Sequence, residues 1–156
     1  MKYPEGGCLC ATVRYEITAT PIALFCCHCT ECQRTSGSSF VLALRVPYGG
    51  VRVTKGEVSL FVRSEADGQK RNVARCPTCL SALWSEALSS PRHHTVYAGT
   101  LDDSSSLRPV AHIWTQDMQP WIALPEGTLQ YPQNPPDLHA IAQAWRCQVE
   151  NKPLRS

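Results

Sequence analysis

Between residues 11 and 17 the apolar positions Val13, Tyr15 and Ile17 alternate with Thr12, Arg14 and Glu16, which is the period of a strand with one face in a core and one in water. Strand-length apolar runs recur at 40–46, 51–54, 58–63, 70–74, 95–98 and 110–114, separated by Gly, Pro, Ser or Asp clusters. This pattern predicts an antiparallel β body. A helical period emerges only near the C-terminus, where Leu138, Ile141, Ala142 and Trp145 fall at i, i+3, i+4 and i+7 behind a capping Asp137. Three prolines within 131–136 predict an extended connection between sheet and helix. The expected fold is all-β, mainly antiparallel, with a C-terminal helix: one domain, residues 1–135 forming the β body and 136–156 a helix and tail packed on it.

Composition narrows the partners. The 156 residues are 43% hydrophobic and 18% charged, ordinary for a globular chain with a real core. A formal net charge of +2, with no run of like charges, gives no electrostatic case for nucleic acid or an anionic membrane surface. The N-terminus lacks the apolar stretch of a signal peptide, and nowhere do about 18 apolar residues follow one another, so the expected address is the cytosol. In that compartment nine cysteines are hard to read as disulfides, whereas their closely spaced pairs and triplets suit a metal.

Spacing sorts the cysteines. Cys76-Pro-Thr-Cys79 is a CxxC knuckle that aims two sulfurs at one ion, and the C-x-C pair Cys8 and Cys10 is its natural complement, together a closed structural zinc site. Buried ordinary thiols are the bland alternative. Cys27, Cys29 and Cys32 form a different kind of cluster, three sulfurs within six residues. Three protein ligands on zinc leave one position for water or substrate, as in catalytic sites, and sulfur-ligated zinc favours a thiol there. His28 could instead close the tetrahedron as a Cys3His site. Cys26 is assigned to the core, Cys147 on the helix to an apolar filler, and His93, His94 and His112 to surface or core rather than to ligation. Trp114 and Trp121 are read as core more readily than as pocket walls. Arg34 and Arg45 could pair with a carboxylate, and Ser36, Ser38 and Ser39 beside Gly37 offer polar contacts.

Four separated motifs carry a family resemblance: GGCLCATVRYEI with Cys8 and Cys10, CHCTECQRTSGSSF from Cys27, RCPTCLSALW with Cys76 and Cys79, and HIWTQDMQPWIALPEGTLQYP from His112. They span residues 6–132, and in order and spacing the chain resembles the glutathione-dependent formaldehyde-activating enzyme family, which includes the domain of centromere protein V. The resemblance implies a β-tent fold and two zinc ions per chain. Cys8, Cys10, Cys76 and Cys79 would hold the structural zinc, and Cys27, Cys29 and Cys32 the catalytic one. It further implies a carbon–sulfur lyase activity, the reversible condensation of glutathione with formaldehyde to S-hydroxymethylglutathione. Ala11 and Leu80 stand where the family usually has Gly, and Met118 and Gln119 precede Pro120-Trp121 where a Lys is common. A non-catalytic zinc scaffold for protein interaction, in the direction of centromere protein V, is the alternative function.

Overall fold

The computed structural model describes residues 4–65 and 68–150; the tail expected at 151–156 lies outside the described residues. The chain forms two compact units, each assembled from separated segments: Met1–Pro21 with Ala43–Leu107, and Ile22–Leu42 with Arg108–Ser156. Most strand pairs are antiparallel, and a helix lies at the C-terminal end, as the hydrophobic pattern predicts. No helix among the described residues is long and apolar enough to cross a membrane.

The first unit contains β1 (Glu5–Gly7), β2 (Arg14–Ile17) and β5 (Val51–Lys55), joined antiparallel in the order β1-β2-β5. Here alternation does what it predicts, since Val13, Tyr15 and Ile17 are all but fully buried. A second antiparallel array runs β4-β9-β8-β7-β6, built from β4 (Val41–Pro47), β6 (Ser59–Ser64), β7 (Lys70–Arg75), β8 (Ala82–Ala87) and β9 (His93–Tyr97). Tyr15 joins the two arrays: its ring meets Trp84 of β8 edge-on with centroids 5.6 Å apart, and its hydroxyl lies 2.7 Å from Thr100 Oγ1. A bidentate Arg14–Asp102 pair and the Asp102 N–H to Glu5 carbonyl bond, 3.0 Å, close the same corner. On β9, the buried His94 accepts the Gly49 N–H at Nε2, 3.1 Å, and turns Nδ1 to Glu86 Oε2 at 2.8 Å, which fixes the turn between β4 and β5.

The second unit is built on β3 (Ala23–Cys27), β10 (Ala111–Ile113) and β11 (Leu129–Tyr131). β10 is the middle strand and pairs parallel with both neighbours, a departure from the antiparallel expectation. All five residues of β3 are buried, so its sequence, Ala-Leu-Phe-Cys-Cys, has no polar alternation for a pattern reading to find. A short helix, α1 (Thr30–Ser36), follows β3 and ends on Gly37 in the left-handed conformation, φ 66°. The C-terminal helix, α2 (His139–Glu150), starts where Asp137 Oδ1 accepts the His139 N–H at 2.7 Å, and it packs against β3 with Ile141 fully buried.

Two sequence expectations fail here. Cys147 is exposed on α2 rather than filling the core, because it lies on the helix face away from Ile141. Trp121 is 73% exposed and Trp114 only half-buried. Trp114 has φ 57° at the entry to a single 3-10 turn, which swings the chain out of the strand, and its indole N–H bonds Asn134 Oδ1 at 2.9 Å.

The corner around Tyr15 has no spare volume. A Cβ on Gly6 would lie 2.5 Å from the Thr100 carbonyl oxygen and 2.6 Å from the Tyr15 hydroxyl. Gly6→Ala is expected to destabilise the protein by about 1–3 kcal/mol, through overpacking against backbone, and Tyr15→Phe by roughly 1 kcal/mol for the lost hydrogen bond. Urea unfolding followed by tryptophan fluorescence measures both.

Candidate metal centres

The first cluster is made of two short turns in the first unit. Cys8 follows β1, and the turn through Cys10 closes when the Ala11 N–H bonds the Cys8 carbonyl at 3.0 Å; the second turn closes when the Leu80 N–H bonds the Cys76 carbonyl, also 3.0 Å. The closing residues match in conformation, Ala11 at φ 58° and Leu80 at φ 61°, the left-handed region that favours glycine. Ser81 ties the turns together, its Oγ accepting the Leu9 N–H at 3.2 Å and lying 3.2 Å from Cys79 Sγ.

The sulfurs of Cys8, Cys10, Cys76 and Cys79 lie within 4.8 Å of one another, Cys8 to Cys10 at 3.5 Å and Cys10 to Cys76 at 3.8 Å. A tetrahedral ion with metal–sulfur bonds near 2.3 Å spaces its sulfurs about 3.8 Å apart. The donor set therefore fits. Backbone N–H groups face the sulfurs, Val13 N–H to Cys8 at 3.2 Å and Thr78 N–H to Cys76 at 3.4 Å. Hydrogen bonding to Ser81 brings Cys79 down to about 5 and Thr12 lowers Cys10, whereas burial raises Cys8.

The second cluster is built where a strand passes into a helix. Cys27 ends β3, Cys29 is the N-cap of α1, and Cys32 lies in its first turn, its N–H bonding Cys29 Sγ at 3.3 Å. A thiol thus fills the place usually held by a Ser or Asp oxygen. All three sulfurs are buried and lie within 4.8 Å of one another, Cys27 to Cys29 at 3.5 Å. Hydrogen bonds with Cys29 and Cys32, then burial, push the Cys27 thiol far up.

His28 does not join them. Its backbone continues the pairing to β10 through an N–H to Ile113 carbonyl bond of 3.0 Å, and its fully buried ring turns to His112, Nε2 to Nδ1 at 3.0 Å, and packs on Phe40. Burial, then the His112 ring, holds its pKa down at about 4. Among the described residues no fourth His, Cys, Asp or Glu donor joins the three-sulfur cluster, whereas the first cluster has four cysteines. Cys26 is buried on β3 with its thiol pushed up to about 12 by burial, outside both clusters.

The sequence reading did not find Gln33. Its Nε2 donates to the His28 carbonyl at 2.7 Å and the Asp117 carbonyl at 2.9 Å, and its Oε1 accepts from Gln119 Nε2 at 2.9 Å. One amide thus locks the cysteine turn to the segment following β10. Its only sequence signal is its position immediately after Cys32 on a helix too short to predict by period. Gln119, read from sequence as a lost cation, is the partner of that amide.

Fold and clusters together define a small β protein with two cysteine groups, each able to hold a metal ion. The chain belongs to the glutathione-dependent formaldehyde-activating enzyme family, whose model matches residues 3–117. No curated protein matches it. A crystal structure of a Rhodobacter sphaeroides protein is 18% identical, covers 81% of this chain and 98% of that one, and superposes with a TM-score of 0.51, a likeness of fold.

Because Ala11 and Leu80 hold left-handed backbone beside Cys10 and Cys79, Ala11→Gly and Leu80→Gly are each expected to stabilise the protein, by about 0.5–1 kcal/mol, as relief of the Cβ strain outweighs the added chain entropy. Thermal unfolding of the two variants checks this; a fall in Tm in both would show that the turns carry no strain.

Proposed function

We propose that the protein is a zinc-dependent carbon–sulfur lyase, similar to S-hydroxymethylglutathione synthase. In this reading it binds a thiol such as glutathione and joins it to, or releases it from, formaldehyde or a related small electrophile. Cys27, Cys29 and Cys32 hold the catalytic zinc, and Cys8, Cys10, Cys76 and Cys79 the structural one. The observation that carries the proposal is the contrast between clusters: four converging sulfurs complete a tetrahedron, and three leave a position for a ligand from outside the chain. Family membership supports the chemistry, and nine cysteines without a disulfide suit a reducing compartment such as the cytosol.

In the net reaction the thiol sulfur forms a bond to the carbonyl carbon, the carbon–oxygen π pair moves onto oxygen, and the thiol proton ends there. Zinc, when bound, supplies a Lewis acid that favours a thiolate at neutral pH. The chain supplies the cradle. Cys29 caps α1 while its sulfur faces the other two, so the helix start and the ligand set share one geometry. Gln33 holds the His28 and Asp117 carbonyls together and so keeps the cysteine turn from opening. Burial of the three sulfurs limits competing water.

Metal analysis combined with zinc X-ray absorption is expected to give two zincs per chain and a gain of sulfur neighbours on adding glutathione. Two centres indifferent to glutathione, or a single zinc, would replace this reading with that of a zinc-stabilised scaffold. Cys76→Ser is expected to cost at least about 4 kcal/mol of stability through loss of a structural metal. Cys29→Ser should leave a folded protein that no longer binds the thiol; equal unfolding of both variants would remove the division of roles.

A further inference from the structure

The turn that joins β4 to β5 is held in part by a titratable nitrogen. Within the turn the Gly50 N–H bonds the Pro47 carbonyl at 2.9 Å. Outward, the Tyr48 N–H bonds the Arg92 carbonyl at 3.0 Å, and the Gly50 carbonyl accepts the Thr18 N–H at 2.9 Å. These are backbone bonds and do not respond to pH near neutrality. The Gly49 N–H, by contrast, is accepted by His94 Nε2 at 3.1 Å, a bond that requires a lone pair on that nitrogen.

That bond fixes the tautomer. A ring nitrogen that accepts carries no hydrogen, so the imidazole is neutral with its hydrogen on Nδ1. Nδ1 lies 2.8 Å from Glu86 Oε2, though not along the line of a good hydrogen bond. From β8 the ring also meets Trp84 edge-on with centroids 6.3 Å apart; from β4 it is opposite Val46; from the turn Tyr48 stacks on it at 4.9 Å. His93, its neighbour on β9, points to the other side of the array. Among the described residues Glu86 is thus the charged group that acts on His94, and it favours an imidazolium. Burial opposes it and prevails: His94 is 8% exposed, and its pKa lies below the ordinary histidine value.

We propose that His94 is an acid-released latch on the β4–β5 turn: a proton taken up at Nε2 sets a ring N–H against the Gly49 N–H, and the turn opens. Two donors facing each other repel, and the Gly49 N–H is left without its acceptor. Gly49 has room to respond, since it already holds a left-handed φ of 81° and a Cβ built there would meet nothing within 4 Å. Its movement passes to Gly50, whose carbonyl anchors Thr18, so the Ile17–Val51 end of the β2–β5 pair loosens with the turn. The sign follows from the lowered value in the folded chain. The unfolded chain binds the proton first, so the latch contributes fully above about pH 6.5 and is lost as pH falls from there through the lower folded value. His94 and Glu86 lie outside both cysteine clusters, and the latch does not depend on the thiol chemistry.

The test is amide hydrogen exchange of the full zinc-loaded chain by NMR, from about pH 7.5 to about pH 5, corrected for the intrinsic pH dependence of exchange. Protection of the Gly49 and Thr18 amides is expected to fall at least about tenfold over that range. In His94→Gln a side-chain oxygen can accept the Gly49 N–H without titrating, so the fall should disappear. In Glu86→Gln the favouring charge is gone, and the fall should move to lower pH. Nitrogen-15 shifts of the His94 ring need no variant: at the upper end of the range Nε2 is expected to carry no hydrogen. A protonated Nε2 there, protection that does not change with pH in the native chain, or the same fall in folded His94→Gln would each overturn the latch. Should His94→Gln fail to fold, an unshifted fall in Glu86→Gln would overturn it instead.

Discussion

The constraint on which this molecule depends is the mutual repulsion of crowded sulfur. Seven thiols are drawn into two groups whose members lie within 4.8 Å. Protonated, they are poor hydrogen-bonding groups; ionised, they repel one another. A cation at the centre of each group would resolve the conflict, and the surrounding backbone suits that state. In the first group, N–H donors from Val13 and Thr78 address the sulfurs, and two left-handed residues bend the chain tightly enough to aim neighbouring cysteines inward.

The two groups answer the constraint differently, and the difference follows from secondary structure. Two turns at the ends of strands bring four sulfurs together close to solvent, with Cys10 exposed and Cys76 fully buried. A strand running into a helix brings only three, because the intervening His28 is drawn away by pairing with β10 and by its ring contact with His112. That the second group gathers three cysteines without His28 is thus a consequence of where a strand ends.

Much of this was legible in the sequence. Alternation placed Val13, Tyr15 and Ile17 in a core, helical spacing placed Ile141 on its buried face, and cysteine spacing sorted both groups. Glycine-depleted turn closings at Ala11 and Leu80 were visible as departures from the family pattern, and the positive φ values give them a physical meaning. What escaped was structure without local period. β3 is buried on both faces, β11 is three residues long, and α1 has fewer than two full turns of helix. Parallel pairing of β10 depends on partners remote in sequence. Gln33 escaped because an amide's role is set by the three groups it touches, which spacing along the chain does not reveal.

The parallel pairing of β3 with β10 bears on how the protein is made. Cys27 is synthesised well before its register partner Ile113, from which 85 intervening residues separate it. Throughout that interval the strand carrying the three-cysteine cluster lacks this one neighbour, and the Ile113 carbonyl that holds His28 is not yet there. The nascent chain therefore displays closely spaced thiols to whatever oxidants and metals surround it. Both turns of the first cluster, by contrast, are complete in sequence once Leu80 has been added. The connectivity of the sheet thus completes the surroundings of the two cysteine groups at different points along the chain.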